Sequence, residues 1–147
     1  MSVLSWNCRG LGQPQTVQML VELVKWKKPN FIFLIETLCN RNKLERLKVK
    51  LGFECLLTIN PAGRSGGLAL YWKSSHKVSL LKFSKNCINV AVEDQSLGSW
   101  RMMGFYGFPE FSRRRESWDL LRTLSATSSL PWVCIRDFND LLAAQEK

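Results

Sequence analysis

Five successive apolar residues, Phe31 to Ile35, set the strongest limit on the fold of this chain. A strand with one face in solvent alternates apolar and polar residues, whereas a short, wholly apolar run is typical of a strand buried on both faces. Strands of that kind occur in α/β domains, where helices cover the sheet. The run ends abruptly at Glu36, so the sequence predicts a buried strand with a carboxylate at its carboxyl end.

Helical patterns lie on both sides of this run. Over residues 16–28, apolar side chains recur at i, i+3, i+4 and i+7, which predicts an amphipathic helix. Three leucines at helical spacing between Leu44 and Leu51 predict a second helix, which Gly52 closes. A short apolar strand over residues 2–6 precedes both helices. The chain therefore opens in the order strand, helix, strand, helix.

The pattern then changes to short strands separated by turn residues, with no stretch long enough for a crossover, so we expect these strands to pair antiparallel. A third helix over about 113–124 and a last strand over 132–135 follow. Five strands are predicted between the second and third helices, over residues 53–59, 67–72, 77–83, 87–92 and 100–106. We predict one α/β domain over residues 1–147, with a mixed, mostly antiparallel sheet and flanking helices.

Three of the predicted strands end in polar side chains. Asn7 follows the first strand, Glu36 the second, and Asp137 with Asn139 the last. Ligands of open α/β sheets gather outside the carboxyl ends of the strands, so these groups are expected to meet at one edge. Carboxylate and amide oxygens suit Mg²⁺, which leaves its other positions to water and phosphate oxygens. The alternative is that each residue only forms a turn, as Asn and Asp often do after strands.

The charge balance of the chain indicates a class of binding partner. The net charge is +9, from 21 Lys and Arg against 12 Asp and Glu, which creates a field that attracts polyanions. Basic clusters at Arg113 to Arg115 and around Lys25 could touch phosphates, although a solvated charged face is the alternative. Beside a magnesium site, a basic surface points to phosphodiester chemistry, and DNA is the expected partner.

The number and spacing of the cysteines indicate the cellular compartment of the protein. Five cysteines, odd in number and without a CxxC pair, argue against both a disulfide framework and a zinc site. No secretory signal peptide is readable, and no apolar run approaches the roughly 20 residues of a membrane span. We therefore expect an intracellular protein, nuclear or cytoplasmic, that is neither secreted nor inserted in a membrane.

Five short motifs give a more specific indication. Together they resemble the endonuclease/exonuclease/phosphatase superfamily, and within it the apurinic-type endonuclease domain that opens plant non-LTR (LINE-type) retrotransposon polyproteins. They occur in that family's order and at its spacing over essentially the whole chain. The motifs are Ser5-Trp6-Asn7-Cys8-Arg9-Gly10, Ile35-Glu36-Thr37, Gly63-Arg64-Ser65-Gly66-Gly67-Leu68, Gly104-Phe105-Tyr106-Gly107 with Pro109, and Asp137-Phe138-Asn139.

The resemblance implies a role for each candidate residue. Glu36 would be the principal ligand of Mg²⁺, with Mn²⁺ as a possible substitute, and Asn7 would support the metal or phosphate end of the site. Tyr106 would contact the scissile phosphate. Asp137 would position or deprotonate the attacking water, and Asn139 would hydrogen-bond the phosphoryl oxygens. The implied reaction is DNA nicking that leaves a 3′ hydroxyl for reverse transcription.

Two departures from the family lower the activity we expect. Arg136 stands where the family has glycine, and the chain ends at Lys147, before the family's late Ser-Asp-His element. His76 lies outside that motif and is interpreted as an ordinary surface histidine. The resemblance thus implies the amino-terminal part of a four-layer α/β/β/α sandwich, truncated at its carboxyl end, weak or inactive alone and able to self-associate through an uncovered sheet face. The alternatives are a non-catalytic nucleic-acid-binding module and a functionless retroelement relic.

Overall fold

The computed structural model describes residues 1–107 and 111–137, with backbone alone for Phe111 and Asp137. Within these ranges it contains eight strands, arranged in two sheets, and three α-helices. In chain order the elements are β1 (Val3–Asn7), α1 (Pro14–Lys27), β2 (Phe31–Ile35), α2 (Arg41–Leu51), β3 (Cys55–Ile59), β4 (Leu68–Trp72), β5 (Lys77–Ser84), β6 (Cys87–Asp94), β7 (Gly98–Tyr106), α3 (Arg114–Ser125) and β8 (Trp132–Asp137).

The chain forms two compact units. The first comprises Met1–Lys77 and Phe83–Lys85, and the second comprises Val78–Lys82 and the described residues from Asn86 onward. The first sheet has the strand order β1-β2-β4-β3 and the second the order β5-β6-β7-β8. Each sheet contains one parallel pair, β1 with β2 and β7 with β8, beside antiparallel pairs.

The first sheet is built around β2. This strand pairs parallel with β1 on one side and antiparallel with β4 on the other, and each of its five side chains is at most 2% exposed. The prediction of a strand buried on both faces is therefore confirmed. Its backbone groups are satisfied by neighbours on both sides, which burial of the strand requires.

Helices α1 and α2 form the core of the first unit with this sheet. Leu20 of α1 and Leu44 of α2 are fully buried in one cluster with Ile32 and Leu34 of β2. Burial of each such side chain stabilises the fold by about 2 kcal/mol. Gly52 ends α2 in the left-handed conformation, with φ 77°, as predicted from its position after the last leucine.

The second unit packs α3 on its sheet through Leu124, which is buried with Met103 and Phe105 of β7. Arg101 of β7 is fully buried in the same unit. Its Nη1 donates to the Leu124 carbonyl oxygen and to the Thr127 hydroxyl, both at 3.0 Å. A cation at this point complements the carboxyl end of α3, where helix carbonyls lack intrahelical partners.

The predicted fold class is confirmed: the chain is a mixed α/β protein with two mixed sheets and flanking helices. All the predicted strands and helices are present, with ends shifted by a few residues. The last strand, β8, continues past its predicted end at Ile135 through Arg136 and Asp137, because these residues pair with Phe105 and Tyr106 of β7. All five cysteines are free, and no helix of the described residues is long and apolar enough to cross a membrane.

Candidate functional site

Two of the candidate residues meet at one edge of the first sheet. Asn7 is the last residue of β1 and lies beside Ile35, the last residue of β2, in the parallel register. The chain continues this pairing beyond the strands, because Cys8 N donates to the Ile35 carbonyl at 2.9 Å and Gly10 N to the Glu36 carbonyl at 2.7 Å. The carboxyl ends of two neighbouring parallel strands therefore bring Asn7 and Glu36 together.

Glu36 has an unusual backbone conformation. Its φ is 55°, in the left-handed region that non-glycine residues seldom adopt, and Leu38 two positions later has φ 52°. The turn is held from a second side as well, because Thr37 N donates to the Gly67 carbonyl at 3.1 Å and Leu38 N to the Gly66 carbonyl at 3.2 Å. Such conformations persist where the surrounding structure fixes them, and they concentrate at functional sites.

Glycine is required at position 67 by both conformation and space. Gly67 has φ +92°, and a Cβ atom there would lie 2.4 Å from Thr37 Oγ1 and 3.2 Å from Leu38 N. This glycine-rich segment, one of the five motifs, connects β3 and β4, which pair antiparallel as a hairpin. The docking of this hairpin against the Glu36 turn has no signal in the sequence, because contacts between residues so far apart in the chain leave no local pattern.

The side chain of Asn7 forms a turn. Its Oδ1 accepts a hydrogen bond from Arg9 N at 3.0 Å, and Arg9 itself has φ 50°. The sequence allows two roles for Asn7, a catalytic role and a turn-forming role, and this hydrogen bond is the turn-forming one. The two roles are compatible, because an amide oxygen has two lone pairs and can accept from the backbone while it contacts a ligand.

The surroundings of Glu36 combine burial with negative charge. Burial raises the pKa of the neighbouring Cys8 thiol to about 12, and the nearby Cys39 and Glu36 add to the shift. Cys8 and Cys39 are both buried in the core of the first unit. The Glu36 side chain, half-buried at the sheet edge, therefore stands close to the Cys8 thiol, which its raised pKa keeps protonated at neutral pH.

The donor set fits a hard cation that keeps most of its own water. Among residues 1–107 and 111–137, no cluster of three or more His, Cys, Asp or Glu side chains could enclose a metal. Mg²⁺ needs only one or two protein carboxylates, with water and phosphate oxygens at its other positions. Glu36 and Asn7 supply oxygen donors of that kind, whereas a structural zinc site needs four closely placed nitrogen or sulfur ligands.

Two further candidates meet in the second unit. Tyr106 and Asp137 are the last residues of the parallel strands β7 and β8 and lie opposite each other in the register. Tyr106 is 6% exposed, and its backbone is fixed by Asn86, whose carbonyl accepts from Tyr106 N at 2.7 Å and whose amide donates to the Tyr106 carbonyl at 3.0 Å. Asn139, the remaining candidate, lies outside the described residues.

The arginine that replaces the family's glycine fits its position. Arg136 lies within β8 opposite Phe105, and it is not among the described residues with positive φ. The backbone at this position therefore accepts a side chain without strain. The guanidinium lies 4.9 Å from the centre of the Trp118 ring, which anchors β8 to α3 by a cation–π contact.

His76 does not take part in the candidate site. It precedes β5 and packs its ring against Phe31 at 5.2 Å, with Nε2 3.5 Å from Asn30 Nδ2. Phe31 begins β2, whereas Glu36 follows its end, so the histidine packs at the end of the strand opposite to Glu36. It is half-buried rather than a freely exposed surface histidine.

The structure thus places the candidates in two pairs, Asn7 with Glu36 in the first unit and Tyr106 with Asp137 in the second. Both pairs lie at the carboxyl ends of parallel strands. The strand-end pattern predicts one shared sheet edge for Asn7, Glu36 and Asp137, and this is wrong because β1 and β2 belong to the first sheet whereas β8 belongs to the second. That all of them form one pocket with Asn139 stays a prediction from the sequence.

Comparisons with known proteins identify the fold. No protein-family model matches the sequence, and no curated protein sequence matches it. Solved structures do: an endonuclease/exonuclease/phosphatase family protein from Bacteroides thetaiotaomicron matches with TM-score 0.72 and 14% identity over 95% of this chain. An AP endonuclease from Archaeoglobus fulgidus matches with TM-score 0.71 and 14% identity over 98% of it.

The endonuclease domain of TRAS1, a telomere-specific non-LTR retrotransposon, is also similar, with TM-score 0.64 and 12% identity over 95% of the chain. The chain spans 63%, 59% and 59% of the lengths of these three proteins, respectively. At such identities the likeness concerns the fold. The chain therefore has the fold of endonuclease/exonuclease/phosphatase proteins, and its structural neighbours include a retrotransposon endonuclease.

Proposed function

We propose that this chain is a metal-dependent phosphodiester hydrolase domain of the DNA-nicking endonuclease type, derived from a non-LTR retroelement. The observation that carries the proposal is the Glu36 turn, in which a carboxylate follows a fully buried strand, stands beside Asn7 and is fixed from two sides. Two structural neighbours that are endonucleases support the reaction class, and the motif set supports the LINE-type assignment.

The residues have separate tasks in this proposal. Glu36, supported by Asn7, would hold Mg²⁺ or Mn²⁺, and the bound ion supplies charge neutralisation at the phosphoryl oxygens. Tyr106 would contact the scissile phosphate. Asp137 would orient the attacking water and accept its proton, while Asn139 would donate to a phosphoryl oxygen. Hydrogen-bond donors aimed at developing charge are among the largest contributions to such catalysis.

DNA is the proposed substrate because the chain carries a net charge of +9. Phosphate binding by Lys and Arg releases counterions and accounts for most non-specific affinity for DNA. We expect low activity from this chain, because His76, its single histidine, packs on Phe31 at the other end of β2 and provides no acid or base at the site. General acid–base assistance is worth roughly 10²- to 10⁴-fold.

The test is nicking of supercoiled plasmid with Mg²⁺ or Mn²⁺ and with chelator. Glu36→Ala and Asp137→Ala should each lower the rate about a hundredfold. Glu22→Ala, on the exposed side of α1, and Asp119→Ala, which removes an exposed ion pair with Arg122, are the matched controls in the two units and should leave nicking unchanged. Cleavage that persists in both site variants would remove these residues from the mechanism.

A second readout separates metal binding from activity. Mn²⁺ binding followed by electron paramagnetic resonance should be lost in Glu36→Ala and retained in Glu22→Ala. Binding that is equal in the two variants would show that Glu36 is not the ligand, whatever the nicking assay gives.

The second candidate function is a non-catalytic module that binds nucleic acid through the same charge. The high net charge favours it, since the field does not depend on any catalytic group. In that case affinity for DNA falls steeply with salt, and Glu36→Ala leaves both affinity and its salt dependence unchanged. Absence of binding at low ionic strength would exclude this function.

A further inference from the structure

A groove runs between α1 and α2 in the first unit. It encloses about 580 Å³, within the range of ligand-binding clefts, and its lining includes Leu11, Val17 and Val21. A deeper part of about 130 Å³ lies against Leu44 and Leu47 of α2. The floor of the groove is therefore apolar, although it lies on the helical face of the unit.

The deep part has the size of one apolar side chain. A dry cavity of similar volume lined by Leu, Ile and Phe holds a benzene-sized molecule, so about 130 Å³ suits a Leu or Phe side chain. Leu11, Leu44 and Leu47 are themselves buried and provide a fixed wall. The shape thus selects an occupant that projects a single apolar anchor.

The rim of the groove is basic. Lys25, Lys43 and Lys50 line the wide part, and Arg46 joins Lys43 and Lys50 at the deep part. No carboxylate lines either part within the described chain. The nearest acidic residue along α2, Glu45, is occupied by ion pairs with Arg41 at 3.4 Å and Lys48 at 2.8 Å.

We infer that the α1–α2 groove binds an acidic amphipathic helix of a partner protein, with a Leu or Phe anchor in the deep part and carboxylates along the basic rim. Helix-in-groove recognition combines apolar anchors on one face with charged residues beside them. Helix α1 has 14 residues and is about 21 Å long, which accommodates three to four turns of a bound helix.

Nucleic acid fits this groove less well. Single strands bind through aromatic platforms on which bases stack, and no aromatic side chain lines the groove in the described chain. A phosphodiester backbone has no apolar side chain for the deep part. The inference does not rest on the proposed hydrolase function, because none of the groove residues belongs to the candidate site.

The test uses a fluorescein-labelled peptide of about 14 residues, the length of α1, with Leu on one helical face and Glu on the other. Fluorescence anisotropy should show binding that is lost when Lys replaces each Glu. Lys43→Glu combined with Lys50→Glu should weaken binding about tenfold. Lys82→Glu combined with Lys85→Glu makes the same change in net charge on exposed residues elsewhere and should leave binding within about twofold.

The outcomes separate the partner classes. Equal binding of the acidic and basic peptides, or equal loss in the two double variants, would overturn the inference. A short DNA duplex serves as competitor: if it displaces the peptide and its own binding falls tenfold with the Lys43 and Lys50 changes, the groove is a nucleic-acid surface and the peptide assignment is wrong. Amide shifts at Val17 and Val21 in nuclear magnetic resonance spectra, with the peptide and not the duplex, would support it.

Discussion

The parallel strand pairs of the two sheets carry candidate residues at equivalent points but differ in how firmly they are held. In the first unit, β2 has hydrogen-bonded neighbours on both sides and is buried along its whole length. In the second, β8 pairs only with β7 among the described strands, and its Val133 is 47% exposed. An edge strand lacks half of the backbone bonds that fix a central one.

The turns beyond the strands differ in the same way. The Glu36 turn receives backbone hydrogen bonds from the segment after β1 and gives them to the Gly66-Gly67 segment before β4. Asp137 is placed by its register with Tyr106, and the end of β7 is in turn fixed by Asn86. The proposed metal-binding end is therefore preformed by three chain segments, whereas the proposed water-positioning end depends on one strand pairing.

The largest expected effect tests this difference in the strands themselves. Leu34→Ala removes a fully buried side chain from the central strand and should lower the free energy of unfolding by about 3 kcal/mol. Val133→Ala shortens a half-exposed side chain on β8 and should cost less than about 1 kcal/mol. Urea denaturation followed by circular dichroism measures both. Similar losses of unfolding free energy would show that β8 is held as firmly as β2 and would contradict the proposed difference between the two strands.

A smaller effect tests the turns. Gly67→Ala places a methyl group against Thr37 Oγ1 at a φ of +92° and should cost about 2 kcal/mol. Gly63→Ala, in the same hairpin connection, has φ +62° and no neighbouring atom within 4 Å, so only the backbone strain of about 1 kcal/mol is expected. Because the methyl group displaces the Glu36 turn, Gly67→Ala should also weaken Mn²⁺ binding, and Gly63→Ala should not. Equal stability losses and equal Mn²⁺ binding in the two variants would show that the hairpin does not support the Glu36 turn.

The elements of this fold are readable from the sequence because each has a periodic or terminal signal. The apolar run Phe31–Ile35 marks the central strand, helical spacing of leucines marks α2, and Gly52 marks its end. The extension of β8 through Asp137 is not readable, because Arg136 and Asp137 are polar and join the strand only through pairing with β7.

The candidate site was predictable to a similar extent. That Asn7 and Glu36 share an edge follows from two strand ends and the parallel pairing of an α/β opening. The positive φ of Glu36 and the docking of Gly67 on Thr37 could not be predicted, since both result from contacts between segments about 30 residues apart. The α1–α2 groove likewise depends on how two helices pack, which their separate patterns do not specify.

The smallest expected effect at neutral pH is a difference in reactivity between two cysteine thiols, one in each unit. Burial raises the pKa of Cys8 to about 12, and the negative neighbours Cys39 and Glu36 act in the same direction. Burial also raises the pKa of Cys134 on β8, but Arg136 and Arg101 oppose the rise. Thiolate is the reactive form, so iodoacetamide should label Cys134 faster than Cys8 as the pH is raised, measured by mass spectrometry of the two peptides. Faster labelling of Cys8 would contradict the burial of the β1 end.

The same shift predicts a dependence of stability on pH. The folded-state pKa of Cys8 lies above the unfolded value of 9.0, so its contribution to stability is complete below pH 9 and is lost as the pH rises toward about 12. Cys8→Ala should therefore flatten the alkaline fall in unfolding free energy. An alkaline fall that is as steep in Cys8→Ala as in the parent chain would place the titrating group elsewhere, and the Glu36 edge would then be more open to solvent than its backbone contacts imply.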